Sequence, residues 1–230
     1  LKFTLPESKR QESFDQIAQL KQQQEQAQLQ EETLFKNEVK NWLATVPDVK
    51  YKALQGQIEI NAPVSQVIAT LLKLKSFITS DSPKEILEHV IYEQIQFFTE
   101  ADQQAFNQCL KGDIQDFAFY GQSCTKSPSM FVDHRDFIFQ AALKKIDNEF
   151  VMIYKSSTEN VPAQKGAVRG TILNSGFRFS ETQGKTVVKQ FTLVDPQGSL
   201  PAMIYNSALE NRSVFLIILK KAVAGEIKLK

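Results

Sequence analysis

The histidines and cysteines, the side chains best suited to bind metal or to act in catalysis, are few and widely spaced in this 230-residue chain. Its two histidines are His89 and His134, and its two cysteines are Cys109 and Cys124. A zinc site with four such ligands would need all of them, but their spacing matches no zinc motif. Two thiols are also too few for a disulfide framework, so we interpret them as ordinary, partly buried cysteines. The sequence therefore predicts neither a metal site nor a bound cofactor.

Catalysis would instead require a nucleophile or a general base in a pocket, and four side chains are candidates. They are His89, Cys124, His134 and Asp136. His134 directly precedes a predicted strand, and the sequence contains neither a Gly-x-Ser-x-Gly elbow nor a His-x-Glu metal motif. We therefore expect no catalytic residue. The alternative is an enzyme that uses one of these four side chains.

The overall charge argues against two large classes of partner. Lysine and arginine total 27 and aspartate and glutamate total 26, which leaves a net charge of +1. No global field therefore attracts nucleic acid or an anionic membrane. The longest apolar run, Val214 to Leu219, has six residues, whereas a spanning helix needs about 20. We expect a soluble protein. Because the chain opens at Leu1 without a methionine, we expect a trimmed or processed form, and both a cytoplasmic and an exported location stay open.

The elements that must position these residues begin with an unusual N-terminal segment. No glycine or proline occurs between Pro6 and Pro47, and residues 11–31 contain nine glutamines. Good helix formers with apolar residues three and four apart predict a helix over residues 7–45. We expect its glutamine-rich first half to project or fray and its second half, Leu34 to Leu43, to dock. This helix is a possible site for a protein partner, and a helical adaptor with a vestigial cavity is a further alternative.

Residues 46–225 are predicted to form one domain. Alternation from Val49 to Ile60 predicts a strand with a bulge at Gly56, and Asn61-Ala62-Pro63 predicts a helix start. Ser82-Pro83 predicts a second helix whose apolar face includes Val90, Ile91, Ile95 and Phe98. Six short strands follow, at Ala105–Leu110, Ile114–Cys124, Asp136–Lys144, Phe150–Ser157, Ala167–Phe179 and Thr186–Val194.

The chain is predicted to end on a long helix that begins near Leu200, with Gly225 just past its end. The short connections between the predicted strands imply antiparallel hairpins. The fold class is therefore α+β, with helices gathered against an antiparallel sheet. Paired phenylalanines two residues apart, such as Phe117/Phe119, Phe137/Phe139 and Phe177/Phe179, should each project to one face of a strand.

Three consecutive stretches carry a resemblance to a known family. His134-Arg135-Asp136-Phe137-Ile138 resembles a motif that opens a central strand, and Val161–Arg169 resembles an omega loop with the strand arginine that follows it. Asp195–Asn206 resembles the start of a C-terminal helix. In this order and spacing, over about residues 114–223, they are similar to the START family of lipid-transfer domains related to steroidogenic acute regulatory protein. The resemblance implies a helix-grip fold, in which a curved antiparallel sheet wraps around a long C-terminal helix and encloses an apolar tunnel.

The resemblance also implies a function. We expect non-enzymatic binding and transfer, or sensing, of one hydrophobic lipid such as a sterol or phospholipid. The alternative that the resemblance leaves open is a hydrolase or cyclase of the same fold that acts on a hydrophobic acyl substrate. We expect a monomer that makes transient contact with a membrane surface and binds no nucleic acid. The implied lipid-binding residues are Phe137, Phe139, Ala141, Arg169, Met203, Ile204 and Ser207. The implied gate is the omega loop with Val161, Pro162, Ala167 and Val168, resting on Met203 or Ile204 without strong polar locks.

Two arginines and one alanine qualify these expectations. For Arg169, a structural ion pair with a neighbouring acid is an equal alternative to a tunnel or gate role. Arg135 is interpreted as structural, tying the strand start to a loop through Asp133 or Asp136. Ala141 stands six residues after Arg135, where sterol-carrying members have a tunnel arginine. The resemblance therefore predicts a more apolar or differently polar cavity here, and phospholipid, fatty acid and isoprenoid ligands stay open.

Overall fold

The structure is a computed structural model that describes residues 7–75, 77–78, 84, 89–127, 132–157, 161–198, 200 and 202–229. The side chains of residues 77, 78, 92, 202, 203, 206 and 207 lie outside the description. The described helices are α1 (Glu7–Gln26), α2 (Val64–Lys75), α3 (Glu100–Leu110), α4 (Ala202–Glu210) and α5 (Val214–Val223), and a 3-10 turn, Asn211–Ser213, joins the last two. The described strands are β1 (Gln28–Phe35), β2 (Val39–Thr45), β3 (Ala53–Ile60), β4 (Phe77–Ile78), β5 (Val90–Phe97), β6 (Phe117–Thr125), β7 (His134–Ile146), β8 (Glu149–Ser156), β9 (Ala167–Arg169), β10 (Thr171–Thr182) and β11 (Lys185–Asp195).

The described strands form one curved, open sheet that wraps around the C-terminal helix, which confirms the predicted α+β helix-grip class. Their order is β1-β2-β3-β11-β10-β8-β7-β6-β5-β4, and neighbours in this path are antiparallel. The short strand β9 pairs with β7 in parallel. Helix α5 packs on one face of the sheet, which we call the inner face, and its Leu216 and Leu219 are fully buried there.

Aromatic side chains cover the inner face, as the alternation of phenylalanines predicted. Ring contacts run from Phe119 to Phe139, from Phe139 to Tyr154 and from Tyr154 to Phe177, with centroids 6.3, 5.4 and 6.3 Å apart. Four neighbouring antiparallel strands, β6, β7, β8 and β10, thus each contribute one ring to this row, because their inward side chains share a face. The inner face is therefore lined by a continuous row of aromatic rings.

The N-terminal helix is much shorter than predicted, and the prediction of helix over residues 27–45 is wrong. Residues 28–45 form the hairpin β1–β2, with positive φ at Lys36 and Asn37 in its turn. Strand β2 pairs with β3, which buries Val39 and Ala44 completely. Helix propensity is a weak preference, and here the pairing and burial offered by β3 outweigh it.

Helix α1 docks where we expected it to project. Ile17 and Leu20 are buried against Ala142, Val151 and Ile153 on the outer face of the sheet, opposite α5. Glutamines contribute to this contact rather than preventing it. A buried hydrogen bond joins Gln24 Nε2 to the Asn174 Oδ1 at 2.9 Å, and Asn174 Nδ2 in turn donates to the Leu20 carbonyl at 3.0 Å. The expectation of a frayed, glutamine-rich segment is therefore wrong, because its polar groups find partners on the sheet.

Other predictions also need correction. The predicted strand at residues 105–110 belongs to helix α3, whose first turn is capped by Thr99 Oγ1 accepting from the Asp102 amide. Residues 90–97, predicted as a helix face, form strand β5, and residues 82–83 and 85–88 lie outside the described residues. The predicted start of helix α2 and the position of Gly225 just past α5 are confirmed.

Gly56 serves close packing instead of a bulge. Strand β3 keeps a continuous register with both of its neighbours through this position. A Cβ on Gly56 would lie 3.1 Å from both Leu216 Cδ1 and Ser213 Oγ. The C-terminal helix therefore approaches the strand at a point where any side chain would crowd it.

No helix among the described residues is long and apolar enough to cross a membrane.

Docking of α1 predicts that one apolar side chain of this helix contributes strongly to stability. Replacing the fully buried Ile17 by alanine should lower the free energy of unfolding by about 2–5 kcal/mol. Replacing the exposed Gln22 of the same helix by alanine should change it by less than about 0.5 kcal/mol. Chemical denaturation of the two variants measures both values. Equal midpoints would show that α1 does not pack on the sheet.

Candidate functional site

A cavity of about 120 Å³ borders the inner face of the sheet. Sites for small molecules are typically about 300–1,000 Å³, so the cavity in this structure is smaller than a site that encloses a whole ligand. Its lining combines aromatic, hydroxyl, amide and charged side chains. The lining residues are Lys75, Glu93, Ser123, Thr125, Phe137, Phe139, Tyr154, Ile172, Ser175, Gly176, Phe177, Gln190, Phe191, Thr192, Val194 and Arg212.

Strand register gathers the polar lining residues at one end of the inner face. Ser123 and Thr125 lie near the end of β6, and Ser123 faces Glu93 of β5 across the strand pair. On the other side of the cavity, Ser175 of β10 faces Thr192 of β11. Because the strands are antiparallel, the end of one strand lies beside the start of the next. The aromatic row thus gives way to polar side chains toward this end.

Lys75 and Glu93 form a charged pair in the cavity wall. The Lys75 Nζ lies 4.0 Å from the Glu93 Oε1, and the Glu93 side chain is only 5% exposed. The same Nζ lies over the rings of Tyr154, Phe177 and Phe215, at 4.8, 5.6 and 5.3 Å from their centroids. Burial raises the pKa of the Glu93 carboxyl, and the Lys75 charge opposes that rise. The lysine is therefore held both by a carboxylate and by aromatic faces.

Arg212 is the third charged residue of the lining, and unlike Lys75 it has no carboxylate partner among the described residues. Its Nη2 lies 3.4 Å from the Thr125 Oγ1. Among the described residues, no carboxylate forms an ion pair with it. Burial lowers the pKa of the Arg212 guanidinium, since a charge loses solvation inside a protein. The sequence analysis did not select Lys75, Glu93 or Arg212, because only the tertiary register brings them together.

The amide of Gln190 is also incompletely satisfied within the described part of the chain. Gln190 is 8% exposed, and its Oε1 accepts no hydrogen bond. Its Nε2 donates to the Thr192 Oγ1 at 3.5 Å, which is a long contact. An acceptor without a partner therefore lines the same cavity as an arginine without a carboxylate.

The residues predicted to bind lipid divide into three groups. Phe137 and Phe139 line the cavity, where a ligand bound in it would contact them. Ala141 is 1% exposed and lies in the main core beyond the lining, and Ile204 is partly buried outside it. Met203 and Ser207 have side chains outside the described set. Lipid contact by all of these residues stays a prediction.

Arg169 forms an ion pair away from the cavity lining. Its Nη2 lies 2.6 Å from the Asp136 Oδ2, and the Asp136 side chain is 0% exposed while that of Arg169 is 30% exposed. Asp136 alternates with the inner-facing Phe137, so this pair lies on the other face of β7. The geometry agrees with the structural alternative for Arg169, and its contact with lipid stays a prediction. Arg135 is likewise structural, since it donates to the carbonyls of Asp133 and Pro196.

The predicted gate is tied to this ion pair. Arg169 Nη2 also donates to the Val161 carbonyl at 3.0 Å, and the Gln164 amide donates to the Asp136 Oδ2 at 3.3 Å. The loop is therefore bound by polar contacts to β7 and β9 that the prediction did not include, whereas its contact with Met203 or Ile204 stays a prediction. Within the predicted gate, Pro162 is exposed, and Val161, Ala167 and Val168 are partly buried.

The candidate catalytic residues lie outside the cavity lining. Burial, with a smaller contribution from Asp136, raises the pKa of Cys124 to about 11, so its thiol stays protonated near neutral pH. The Nδ1 of His134 accepts a hydrogen bond from the Ser127 amide at 3.1 Å, and His89 is exposed in a turn. The described residues contain no group of three or more potential metal ligands.

Comparisons with known proteins agree with this architecture. The sequence model of the START domain matches residues 22–225. Human StAR-related lipid transfer protein 5 superposes with a TM-score of 0.67 at 16% identity, covering 94% of each chain. Human STARD10 gives 0.60 at 15% identity over 86% of this chain and 72% of its own. A fragment of the STAR-related lipid transfer protein of Xanthomonas axonopodis gives 0.61 at 15% identity over 86% and 98%. The search of curated proteins found no match.

The buried carboxyl of Glu93 predicts a specific dependence of stability on pH. Because its pKa is raised in the folded state, the folded protein binds this proton more tightly than the unfolded chain does. Stability should therefore fall as pH rises from about 4.5 through the raised pKa. Replacing Glu93 by glutamine should remove that part of the pH dependence. Urea denaturation of wild type and Glu93→Gln from pH 4 to pH 8 measures the difference, and parallel curves would contradict a raised pKa.

Proposed function

The chain belongs to the START domain family, and we propose on this premise that it binds one lipid molecule within its sheet and transfers or senses it without catalysis. The observation that carries the proposal is the aromatic row of the inner face beside a cavity that also has a polar end. An apolar wall suits a hydrocarbon tail, and a few polar groups suit a headgroup. Two of the three similar structures are described as StAR-related lipid transfer proteins, which supports the same function.

In this proposal the lipid tail supplies most of the binding free energy, and the headgroup determines which lipid is bound. Burying about sixteen methylenes at ~0.8 kcal/mol each gives roughly 13 kcal/mol of gross stabilisation. Ordering the lipid and opening the protein offset part of this gain. Because the cavity holds about 120 Å³, a whole lipid must displace part of the lining. The proposed binding therefore includes movement of aromatic side chains or of the C-terminal helices.

The C-terminal helix offers a place for that movement. The 3-10 turn Asn211–Ser213 interrupts it between α4 and α5, and such a turn within a helix often marks a hinge. On one side of the turn, α5 is fixed in the core. On the other side, α4 follows the loop that Val168 approaches, with the Val168 Cγ1 3.9 Å from a Cβ placed on Gly198. We propose that α4, with Met203, Ile204 and Ser207, and the omega loop, with Val161, Pro162, Ala167 and Val168, separate to admit lipid, while brief contact with a membrane surface supplies it.

The alternatives have less support from this geometry. A hydrolase or cyclase would need a reactive group in the cavity, whereas Cys124 is protonated and His134 is engaged with backbone. A helical adaptor would need a free apolar face on α1, whereas Ile17 and Leu20 are covered by the sheet. We therefore propose a monomeric lipid carrier or sensor rather than an enzyme or an adaptor.

Blocking the cavity tests the proposal. Ser175 and Ser180 lie on the same strand, but only Ser175 lines the cavity. Native mass spectrometry of freshly purified protein should show an adduct of lipid mass in wild type and in Ser180→Phe. The adduct should be absent from Ser175→Phe, because the added ring fills the space that the lipid needs. An adduct that persists in a folded Ser175→Phe, or lipid extracts that are empty for all three proteins, would contradict lipid binding in this cavity.

Loosening the omega loop tests the gate. Replacing Arg169 by glutamine removes one cation that pairs with the buried Asp136 carboxylate, which should cost about 3 kcal/mol of stability. It also releases the Val161 carbonyl, so lipid exchange between vesicles should become faster. Replacing the exposed Lys165 of the same loop by glutamine should change neither quantity. If Arg169→Gln lowers stability but leaves the exchange rate unchanged, the omega loop is not the gate.

A further inference from the structure

The charges in the cavity wall do not balance. Lys75 and Glu93 face one another, with the Lys75 Nζ 4.0 Å from the Glu93 Oε1. Arg212 contacts the hydroxyl of Thr125 but pairs with no carboxylate among the described residues. The lining as a whole thus contains two cations and one carboxylate. Arg212 is partly buried. Since even a partly desolvated charge without a counter-ion is costly, a bound anion would stabilise this arrangement.

The aromatic rings of the cavity argue against a ligand that carries a positive charge. A quaternary ammonium group binds best over aromatic rings. In this cavity the Lys75 ammonium already lies over Tyr154 and Phe177, at 4.8 and 5.6 Å from their centroids. A second cation at those rings would meet the charge of Lys75 at close range and would be repelled. A choline headgroup therefore fits poorly where an anion fits well.

The position of Arg212 is fixed by its neighbour in the chain. Ser213 is fully buried, and its Oγ donates to the Asn41 Oδ1 at 2.6 Å on the β2 side of the helix. This bond sets the rotation of the 3-10 turn, so Arg212 extends across to Thr125 of β6 instead. Because the backbone of this turn is already fixed, binding of an anion has to order only the Arg212 side chain.

We propose that Arg212, with the hydroxyl of Thr125 and the amide of Gln190, forms a headgroup site for an acidic lipid whose anion is a carboxylate or a phosphate monoester. This inference rests on the proposed function and narrows its ligand class. Guanidinium donates two parallel hydrogen bonds to either anion. The Thr125 hydroxyl donates to the Arg135 carbonyl at 3.4 Å in this structure, a long contact, and rotation of the hydroxyl would turn it into a third donor to the anion. The Gln190 Oε1, which has no partner in the described structure, accepts from a hydroxyl of the ligand or of an accompanying water molecule.

A comparison of lipids that share one tail isolates the contribution of the headgroup to binding affinity. We would measure binding of palmitate, hexadecyl phosphate and methyl palmitate to the full chain by isothermal titration calorimetry. Wild type should bind both acids about tenfold or more tightly than the ester, because a hydrogen bond to a charged group is worth more than one to a neutral group. Arg212→Gln should weaken the acids by about ten- to a hundredfold and leave the ester unchanged. Arg212→Lys should retain part of the preference, and replacing the exposed Lys221 of α5 by glutamine should change nothing.

The outcomes separate this inference from the proposed function. Equal affinity of wild type for acid and ester would overturn the headgroup site while lipid binding stood, and this result needs no variant to fold. Failure of wild type to bind these lipids, cholesterol or phosphatidylcholine would overturn lipid binding itself. Equal losses for acid and ester in Arg212→Gln would show that Arg212 acts on the fold alone. Inorganic phosphate that binds wild type as tightly as hexadecyl phosphate does would indicate a free-phosphate site and overturn the lipid assignment.

Discussion

The close contact between the C-terminal helix and Gly56 determines where space exists inside the sheet. Strand β3 has no side chain at this point, so Leu216 and Ser213 lie directly on its backbone. The buried bond between Ser213 and Asn41 holds the same turn against β2. With the helix packed against β2 and β3, its other side leaves part of the space inside the curved sheet unfilled. The cavity lies there, between the helix and the strands β5–β8 and β10–β11.

The walls of that cavity follow from strand pairing rather than from any single motif. Gly121 of β6 lies beneath the ring of Phe139 on β7, where any side chain would collide with it. The ring of Phe139 therefore occupies the space that a side chain at residue 121 would need. Toward one end the same register replaces rings by Ser123, Thr125 and Thr192. One pattern of alternation thus produces both an apolar region, where we propose the lipid tail, and a polar region, where we propose the headgroup.

The sequence predicted well what depends on local patterns and on family motifs. The strands of the C-terminal half, the final helix and the inward pairs of phenylalanines are all found. It failed for residues 28–45, because their helix-forming composition is overruled by pairing with β3, which the local pattern does not contain. Of the site, Phe137 and Phe139 followed from alternation and resemblance. Arg212 did not, because its importance depends on Thr125, 87 residues earlier in the chain.

The small volume of the cavity bears on how such a protein would release its cargo. In this structure the rings of Phe139, Tyr154 and Phe177 contact one another where a tail would lie. Binding would replace these ring–ring contacts by contacts with the tail. The free energy gained from the tail contacts would therefore be reduced by the free energy of the lost ring contacts. A carrier needs this balance, because the full roughly 13 kcal/mol of a buried tail would slow release into a membrane. Ring packing in the closed state would therefore act as a competitor for the lipid, and the charge at the polar end would decide which lipid overcomes it.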